Sequence, residues 1–463
     1  MLMVWAIPVM EPACQRSLSP IDRENIRVDS IVPILNAGLG QVLLPKHVIQ
    51  MVRNSILERE IAMKKNGSVF GGANNRRSFL KNGMVAAGAA TMGAALLPGT
   101  STAFGRKDDD DNAPITKGDI AILTFLSALE QVEADLWIQY AELGGATNQG
   151  NSPIDLELNG LKITTGLAPA YITGLLVLDG DMPQYIADNT DDEISHHRFL
   201  NNYLASKGAK TIDLSHFATL PPSQVTGVPQ KGRLTNLKQL TVDTTWWTRY
   251  RSATTNPDLG GTFENAVPDL AKGQHSAIPL NDGDLVLDGS GNISNHLQAI
   301  ANTAGFHFAF IEQGGSSLYP ALAQRVTNLE VLRILLSIGG SEIMHFQTWH
   351  DKAGNATNIT DGDLTFPNLN AAVDPNNGAS GPNVADMFQT NLIMPEPTVF
   401  LNPRLGPISI IRPTSTQQGG AVASVVSFAE DGLFLDPVTK KNTGIVDVLM
   451  RLAEEADEAR REF

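Results

Sequence analysis

Glu193-Ile194-Ser195-His196-His197-Arg198-Phe199-Leu200 sets a carboxylate and an imidazole three residues apart, and Ser341-Glu342-Ile343-Met344-His345 repeats that spacing later in the chain. Residues three apart on a helix share a face, so each pair aims one acid and one imidazole the same way. A single Glu-x-x-His carries little information, because such pairs commonly lie on the solvent side. Two of them, each preceded by a glutamate on an apolar helical stripe, form an ordered set: Glu130, then Glu193 with His196, then Glu312, then Glu342 with His345.

Periodicity supplies the helices that carry this set. From Thr116 to about Leu143, the residues Leu123, Leu126, Glu130, Glu133, Trp137 and Tyr140 recur at steps of three and four. After a connection rich in Gly and Asn, a second helix from Met182 to Ser206 carries Glu193, His196, Leu200 and Tyr203 behind an acidic start at Asp188 to Asp192. A third, from Ile293 to about Ala323, carries Phe308, Glu312, Gly315 and Tyr319; a fourth, from Asn328 to Lys352, carries Leu335, Ile338, Glu342, His345 and Trp349. Between the second and third lies an insert at 207–292, broken by Pro221-Pro222, Gly260-Gly261 and Asp282-Gly283, too long for a plain connection. Within it, Trp246-Trp247-Thr248-Arg249-Tyr250 reads either as a platform for carbohydrate or a partner or, the favoured use, as aromatic packing of the insert onto the helices. The region 353–463 is a loop-rich C-terminal extension, in which Ala421 to Phe428 reads as a short apolar strand and Ile445 to Arg461 as an amphipathic helix. The fold class expected is therefore an all-α core of four helices spanning 116–352, with the long irregular insert between helices 2 and 3.

The segments Ala128-Leu129-Glu130-Gln131-Val132-Glu133-Ala134, Glu193 to Leu200, Phe310-Ile311-Glu312-Gln313-Gly314-Gly315-Ser316-Ser317-Leu318-Tyr319 and Ser337 to His345 resemble the exported ferritin-like domain family that includes desiccation-related proteins. The resemblance covers the four helices, well under half of the chain. It implies a ferritin-like four-helix bundle whose interior holds two divalent metal ions, iron or manganese, on a di-metal carboxylate template. Two Glu-x-x-His pairs plus two bridging carboxylates from the lone glutamates would supply the ligands, and oxygen with imidazole donors suits these metals. On the first helix Glu130 and Glu133 compete for the ligand position: Glu130 precedes Trp137 by seven residues and Glu133 precedes Tyr140 by seven, and the resemblance favours Glu130. Tyr319, seven residues after Glu312, and Tyr203 are candidate catalytic residues, able to supply an electron or a hydrogen bond, with Trp137 beside them. His197 points about 100° away from its neighbour and reads as structural. His307 reads as a core or surface histidine, and His350 as a cation at a helix C-terminus.

Upstream, Asn75-Arg76-Arg77-Ser78-Phe79-Leu80-Lys81, the uncharged stretch Met84 to Leu97 and Ser101-Thr102-Ala103 have the parts of a twin-arginine signal peptide at 63–103, followed by an acidic linker at 104–115. The apolar stretch is too short and too rich in Gly and Ala for a membrane anchor. Because such signals stand at an N-terminus, Met63-Lys64-Lys65 is the expected start and 1–62 a doubtful extension. Periplasmic or extracellular location follows as an expectation, with no membrane span after cleavage.

The formal charge of −15 disfavours nucleic acid and anionic membranes as partners and leaves carboxylates available for hard cations. The single cysteine, Cys14, precedes the signal, so neither disulfides nor a thiolate metal site is expected. No GxSxG, Walker loop, dinucleotide fingerprint or CxxC occurs. Two functions fit: an oxidoreductase acting on oxygen, peroxide, metal ions or an unknown small molecule, and a non-enzymatic stress or desiccation-related envelope protein that uses the helices as a scaffold. Either is compatible with an oligomer.

Overall fold

The computed structural model describes residues 114–148, 151–249, 262–369 and 420–462. The leader, the signal, nearly all of the acidic linker and residues 370–419 of the C-terminal extension lie outside the described residues.

Helix α1, Lys117–Gly144, begins with a reciprocal cap. The Asp119 N–H donates to the Thr116 hydroxyl at 3.1 Å, and the Thr116 N–H donates back to Asp119 at 3.0 Å. Asp119 also accepts from the Thr327 N–H at 2.8 Å, tying this end of α1 to the loop before the last long helix. The Gly- and Asn-rich connection is a hairpin of β1, Ile154–Leu158, and β2, Leu161–Thr165, paired with Leu158 opposite Leu161. Its turn, Asn159-Gly160, has φ of 47° and 79°, the left-handed conformations that a tight two-residue hairpin demands. A short helix α2, Pro169–Leu178, opens on proline, whose missing N–H costs nothing in a first turn.

Helix α3 spans Met182–Ser206. Asp188 to Asp192 lie in its second and third turns and not at its N-terminus, which corrects the expected acidic start. The bounds of the last two long helices, α5 at Asn295–Ala323 and α6 at Leu329–Ala353, fall within two residues of those expected. Each is capped by the side chain just ahead of it, Ser294 and Asn328. A small hairpin follows, β3 at Ile359–Asp361 and β4 at Leu364–Phe366. The short helix α4, Thr245–Arg249, lies in the insert.

The insert is part of the core. Trp246 and Trp247 are completely buried, with Trp246 packed against Phe306 of α5 and Phe346 and His350 of α6 at centroid distances of 5.7, 6.1 and 5.5 Å. Arg233 from the insert pairs with Glu142 of α1 where both are buried. His350, in the last turn of α6 as expected, is also a buried ring among aromatics.

Residues Ala421–Asp431 form helix α7, where a strand was expected. The β-branched Val422, Val425 and Val426 favour a strand locally, but the buried positions Ala421, Val425 and Phe428 are spaced four and three, a helical face. Asp457 accepts from the N–H groups of Ala421 and Val422 at 3.1 and 3.0 Å, placing an anion at the α7 N-terminus. That aspartate belongs to helix α8, Ile445–Glu458, whose buried stripe of Ile445, Leu449, Leu452, Ala453 and Ala456 joins the same core. Among the described residues no helix is long and apolar enough to cross a membrane.

Replacing Trp246 with alanine is expected to destabilise the protein by about 3–5 kcal/mol, the usual cost of emptying a buried aromatic site. Urea unfolding checks this, and a loss below about 1 kcal/mol would show that the insert rests on the helices without being built into them.

Candidate metal centre

Helices α1 and α3 pack against each other, as do α5 and α6, and polar rungs join the two pairs. Between α3 and α6 the rungs run antiparallel: the Tyr203 hydroxyl donates to Glu330 at 2.7 Å, Ser341 meets His196 at 3.1 Å, Asp192 meets His345 at 3.2 Å, and the Trp349 indole donates to Asn189 at 2.8 Å. Between α1 and α5 the Tyr319 hydroxyl donates to Glu130, and Tyr140 meets His307 at 2.7 Å. The acids and imidazoles of the expected set lie inside this frame.

They fall into two groups, Glu130, Glu193, His196 and Glu342 in one, and Glu193, Glu312, Glu342 and His345 in the other, each with its ligand atoms within 4.8 Å of one another. Each group could hold a metal ion. All six residues are buried, with Glu193, Glu312 and Glu342 wholly so. The shared carboxylates are Glu193 and Glu342, the acids of the two Glu-x-x-His pairs. This corrects the expectation that the lone glutamates bridge. Glu130 and Glu312 each belong to one group.

Glu133 is equally buried but stands one turn beyond and joins neither group. It is still close enough that Glu130, Glu342, Glu193 and Glu312 add to the effect of burial in raising its carboxyl well above the usual range. Tyr319 lies beside the site, donating to Glu130. Tyr203 does not: it is seven residues beyond His196, about 10 Å along the helix axis, and its hydroxyl is committed to Glu330, which Lys207 also holds at 2.7 Å. The expectation of Tyr203 as a catalytic residue is therefore corrected. His197 belongs to neither group, and burial together with Arg198 lowers it to about 4.

The ring orientations settle which histidine nitrogens face the cluster. The Ser341 hydroxyl donates to the Ile338 carbonyl at 2.7 Å, so its oxygen is left to accept from Nε2–H of His196. Asp192 accepts from Nε2–H of His345. Nδ1 of His196 then points at Glu193, Glu130 and Glu342 at 2.9, 3.3 and 3.3 Å, and Nδ1 of His345 at Glu193 and Glu312 at 3.1 and 3.3 Å. An imidazole whose outer N–H is held by a second group has its inner lone pair free for a cation.

Electrostatics follow from burial. Five carboxyls stand against two imidazoles. Burial lifts Glu130 to about 7 despite His196, raises Glu312, and with Glu193 raises Glu342 well above its usual range. Glu193 is the exception: burial pushes it up, but His196 and His345 together draw it below the ordinary carboxylate range. Burial disfavours charge on both imidazoles, yet the surrounding acids hold them well above the usual histidine value. The interior thus favours positive charge beside these acids.

Among the described residues, Oε2 of Glu130, Oε2 of Glu312, both carboxyl oxygens of Glu342 and Nδ1 of His345 are buried without a hydrogen-bond partner. Buried polar atoms are ordinarily satisfied, and these five converge on the places where a cation would sit. The donor set is carboxylate oxygen and imidazole nitrogen without sulfur, which could hold metal ions.

Four residues with a hand in the site were missed as contributors. Asn189, one turn before Glu193, donates from a single amide to both Glu193 and Glu312 at 2.9 Å and accepts from Trp349. Asp192 and Ser341 orient the imidazoles, and Trp349 orients Asn189. Their only signal in the sequence is helical spacing from a ligand, which many inert residues share. Near His196, the least enclosed of the six, a surface pocket is walled by Ser195, Phe199, Asn202 and Ile338.

Asn189→Ala would strand two carboxylates and an indole N–H, and is expected to cost about 1–3 kcal/mol in unfolding free energy, against little for exposed Asn202→Ala. Equal effects of the two substitutions would contradict the assigned network. Comparison with family models, with curated proteins and with solved structures gives no match to this chain.

Proposed function

We propose that the chain is a ferritin-like four-helix protein whose buried cluster holds two divalent ions, iron or manganese, and that it is an oxidoreductase acting on a small oxidant such as peroxide or dioxygen. The carrying observation is the convergence of buried carboxylate oxygens and inward imidazole nitrogens, in ion-pair range but largely without hydrogen bonds, on two adjacent groups that share Glu193 and Glu342. Four carboxylates would offset the charge of two dications, and burial, which raises Glu130, Glu312 and Glu342, makes positive charge from metal ions favourable there.

Glu130 and His196 would complete one position, Glu312 and His345 the other, with Glu193 and Glu342 between. A bound metal pair would supply one-electron redox steps and Lewis acidity. The protein's own part is to hold geometry and control access. Asn189 locks Glu193 and Glu312 against each other, Ser341 and Asp192 fix the ring planes, and Tyr319 keeps a protonated hydroxyl on Glu130 because burial and the neighbouring acids raise it far above its usual range. The pocket at His196 is the proposed entry for a small oxidant, and the wholly buried carboxylates behind it keep bulk water out.

Export by the twin-arginine route to the periplasm or beyond is part of the proposal. It is supported by Arg76-Arg77 and the apolar stretch that follows them, and by the habit of that route of carrying folded, metal-loaded proteins.

Gly315 gives a probe of the shared carboxylate. A Cβ there would fall on the Glu342 carboxyl, closer than side-chain atoms approach, whereas a Cβ on neighbouring Gly314 would stand 3.6 Å from Phe428 in ordinary contact. Protein purified after native export is expected to carry two iron or manganese ions per chain by elemental analysis and to consume peroxide. Glu342→Gln, which preserves volume, should lose both ions, Gly315→Ala should weaken retention by about 10- to 100-fold, and Gly314→Ala should leave it unchanged. Stoichiometric metal with no turnover of peroxide or oxygen would favour the scaffold reading, and absence of metal in folded wild-type protein would end the proposal.

A further inference from the structure

One buried polar group plays no part in the metal centre. Tyr140 and His307 are completely buried and Asp431 nearly so, and they form a chain from α1 through α5 to α7. The Tyr140 hydroxyl lies 2.7 Å from Nδ1 of His307, whose Nε2 stands 3.3 Å from the Asp431 carboxylate, within ion-pair distance but outside hydrogen-bond geometry. A carboxylate facing Nε2 favours the tautomer with a proton there, which leaves Nδ1 to accept from the phenol.

Aromatic rings connect this group to the cluster. Trp137 lies 5.8 Å from Tyr140 between ring centroids, and it stacks on Trp349 at 5.3 Å with an interplanar angle of 25°. Phe308 fills the angle between them, 4.9 Å from Trp137, 4.6 Å from Tyr140 and 4.8 Å from Trp349. Trp349 in turn donates its indole N–H to Asn189, the amide that holds Glu193 and Glu312.

We propose that Tyr140 is a redox-active tyrosine that supplies one electron toward the carboxylate cluster through Trp137 and Trp349, its phenolic proton passing to His307. In the step, the Tyr140 O–H bond breaks, an N–H bond forms at Nδ1 of His307, and a neutral tyrosyl radical remains. The imidazolium so formed is balanced by Asp431. The electron refills Trp137, oxidised a moment earlier by Trp349, and the final acceptor is an oxidant of the peroxide or dioxygen class at the cluster. That direction of flow rests on the oxidoreductase reading above; the pairing of Tyr140 with its base does not.

The indoles and the phenol differ in what they can do with a lost electron. Nε1–H of Trp137 has no hydrogen-bond partner among the described residues, so an oxidised Trp137 has nowhere to pass its proton and returns quickly by taking an electron from a neighbour. Tyr140 has an acceptor in line and holds the oxidation once its proton has left. Tyr171 is an internal control: it is equally buried, but its hydroxyl donates to the Ala277 carbonyl at 2.8 Å, which cannot take the proton. A merely structural Tyr140–His307–Asp431 tie would anchor α7 without any of this.

The test uses the full chain in two states. Metal-free protein is oxidised by a flash-generated ruthenium(III) tris-bipyridine complex, which can enter through Tyr185, a partly exposed ring 6.2 Å from Trp349. A long-lived neutral tyrosyl radical, read by electron paramagnetic resonance and optical absorption, is expected in the wild type and in Tyr171→Phe and lost in Tyr140→Phe. His307→Gln should shorten its lifetime, and deuterated solvent should slow its formation. A signal unchanged in Tyr140→Phe, or no tyrosyl radical at all, would overturn the assignment whatever the metal content. Protein loaded with ferrous ion and then given peroxide should show the same radical after freeze-quenching. Bound metal and a flash-generated radical without a peroxide-generated one would overturn the flow toward the cluster, whereas failure to bind metal would remove the oxidoreductase reading and leave the flash result to decide Tyr140.

Discussion

Five glutamates buried at one level of the core are the constraint around which this protein is built. Carboxylates withdrawn from water must be neutralised, paired or held by hydrogen bonds, since each left charged and alone would cost more than a domain's net stability. Two histidines cannot neutralise five acids, and the described residues place no lysine or arginine among the groups that perturb them. The interior therefore takes up protons or cations. Everything nearby serves that arrangement: Asn189 spends one amide on two carboxylates, Tyr319 donates to a third, and Asp192 and Ser341 turn the imidazoles inward. Stability and affinity for positive charge are opposed here, because the buried acids that are costly to hold are those that would bind a dication.

How much of this could be read from the sequence depended on the range of the interaction. The long helices were legible because their apolar stripes repeat over twenty or more residues, and the six acids and imidazoles because Glu-x-x-His spacing is a local property of a helix. Gathering them into one place is a tertiary fact that spacing only suggests. Which carboxylates are shared was misread, since sharing depends on the depth at which each helix crosses its neighbours. Tyr203 was misassigned for a related reason: it lies on the correct stripe, but the rung it occupies is that of Glu330 and Lys207. Helix α7 was mistaken for a strand because valine's local preference outweighed a burial pattern only a few residues long. Asn189 was invisible, as an asparagine one turn from a ligand has no distinguishing mark until its partners are in place.

The insert illustrates a further limit. Breakers at Pro221-Pro222 and Asp282-Gly283 go with short elements among the described residues of the insert, yet that described part behaves as core and not as a loop. Trp246 and Trp247 fill the space over Phe306, Phe346 and His350, and Arg233 enters to meet Glu142. Irregular backbone can be buried when its polar groups find partners. Here isolated bridges such as Leu220 with Arg233 and Leu240 with His275 supply them.

The two ends of the cluster differ in kind. Toward the C-terminal half of α3 lies the pocket at His196, bounded by Phe199 and Ile338; one turn before Glu193, in the other direction, Asn189 meets Trp349 and the stacked aromatics begin. Because α3 and α6 run antiparallel, this polarity is built from both at once: Ile338 flanks the pocket and Trp349 the aromatic wall, with Glu342 and His345 between. A small molecule arriving at the open end would meet carboxylates and imidazoles first, while the closed end is insulated by indole and phenyl rings. Symmetry in the ligands, one acid and one imidazole per half plus the shared pair, is thus broken by what surrounds them. One end of the cluster is bordered by a surface pocket and the other by stacked, largely buried rings.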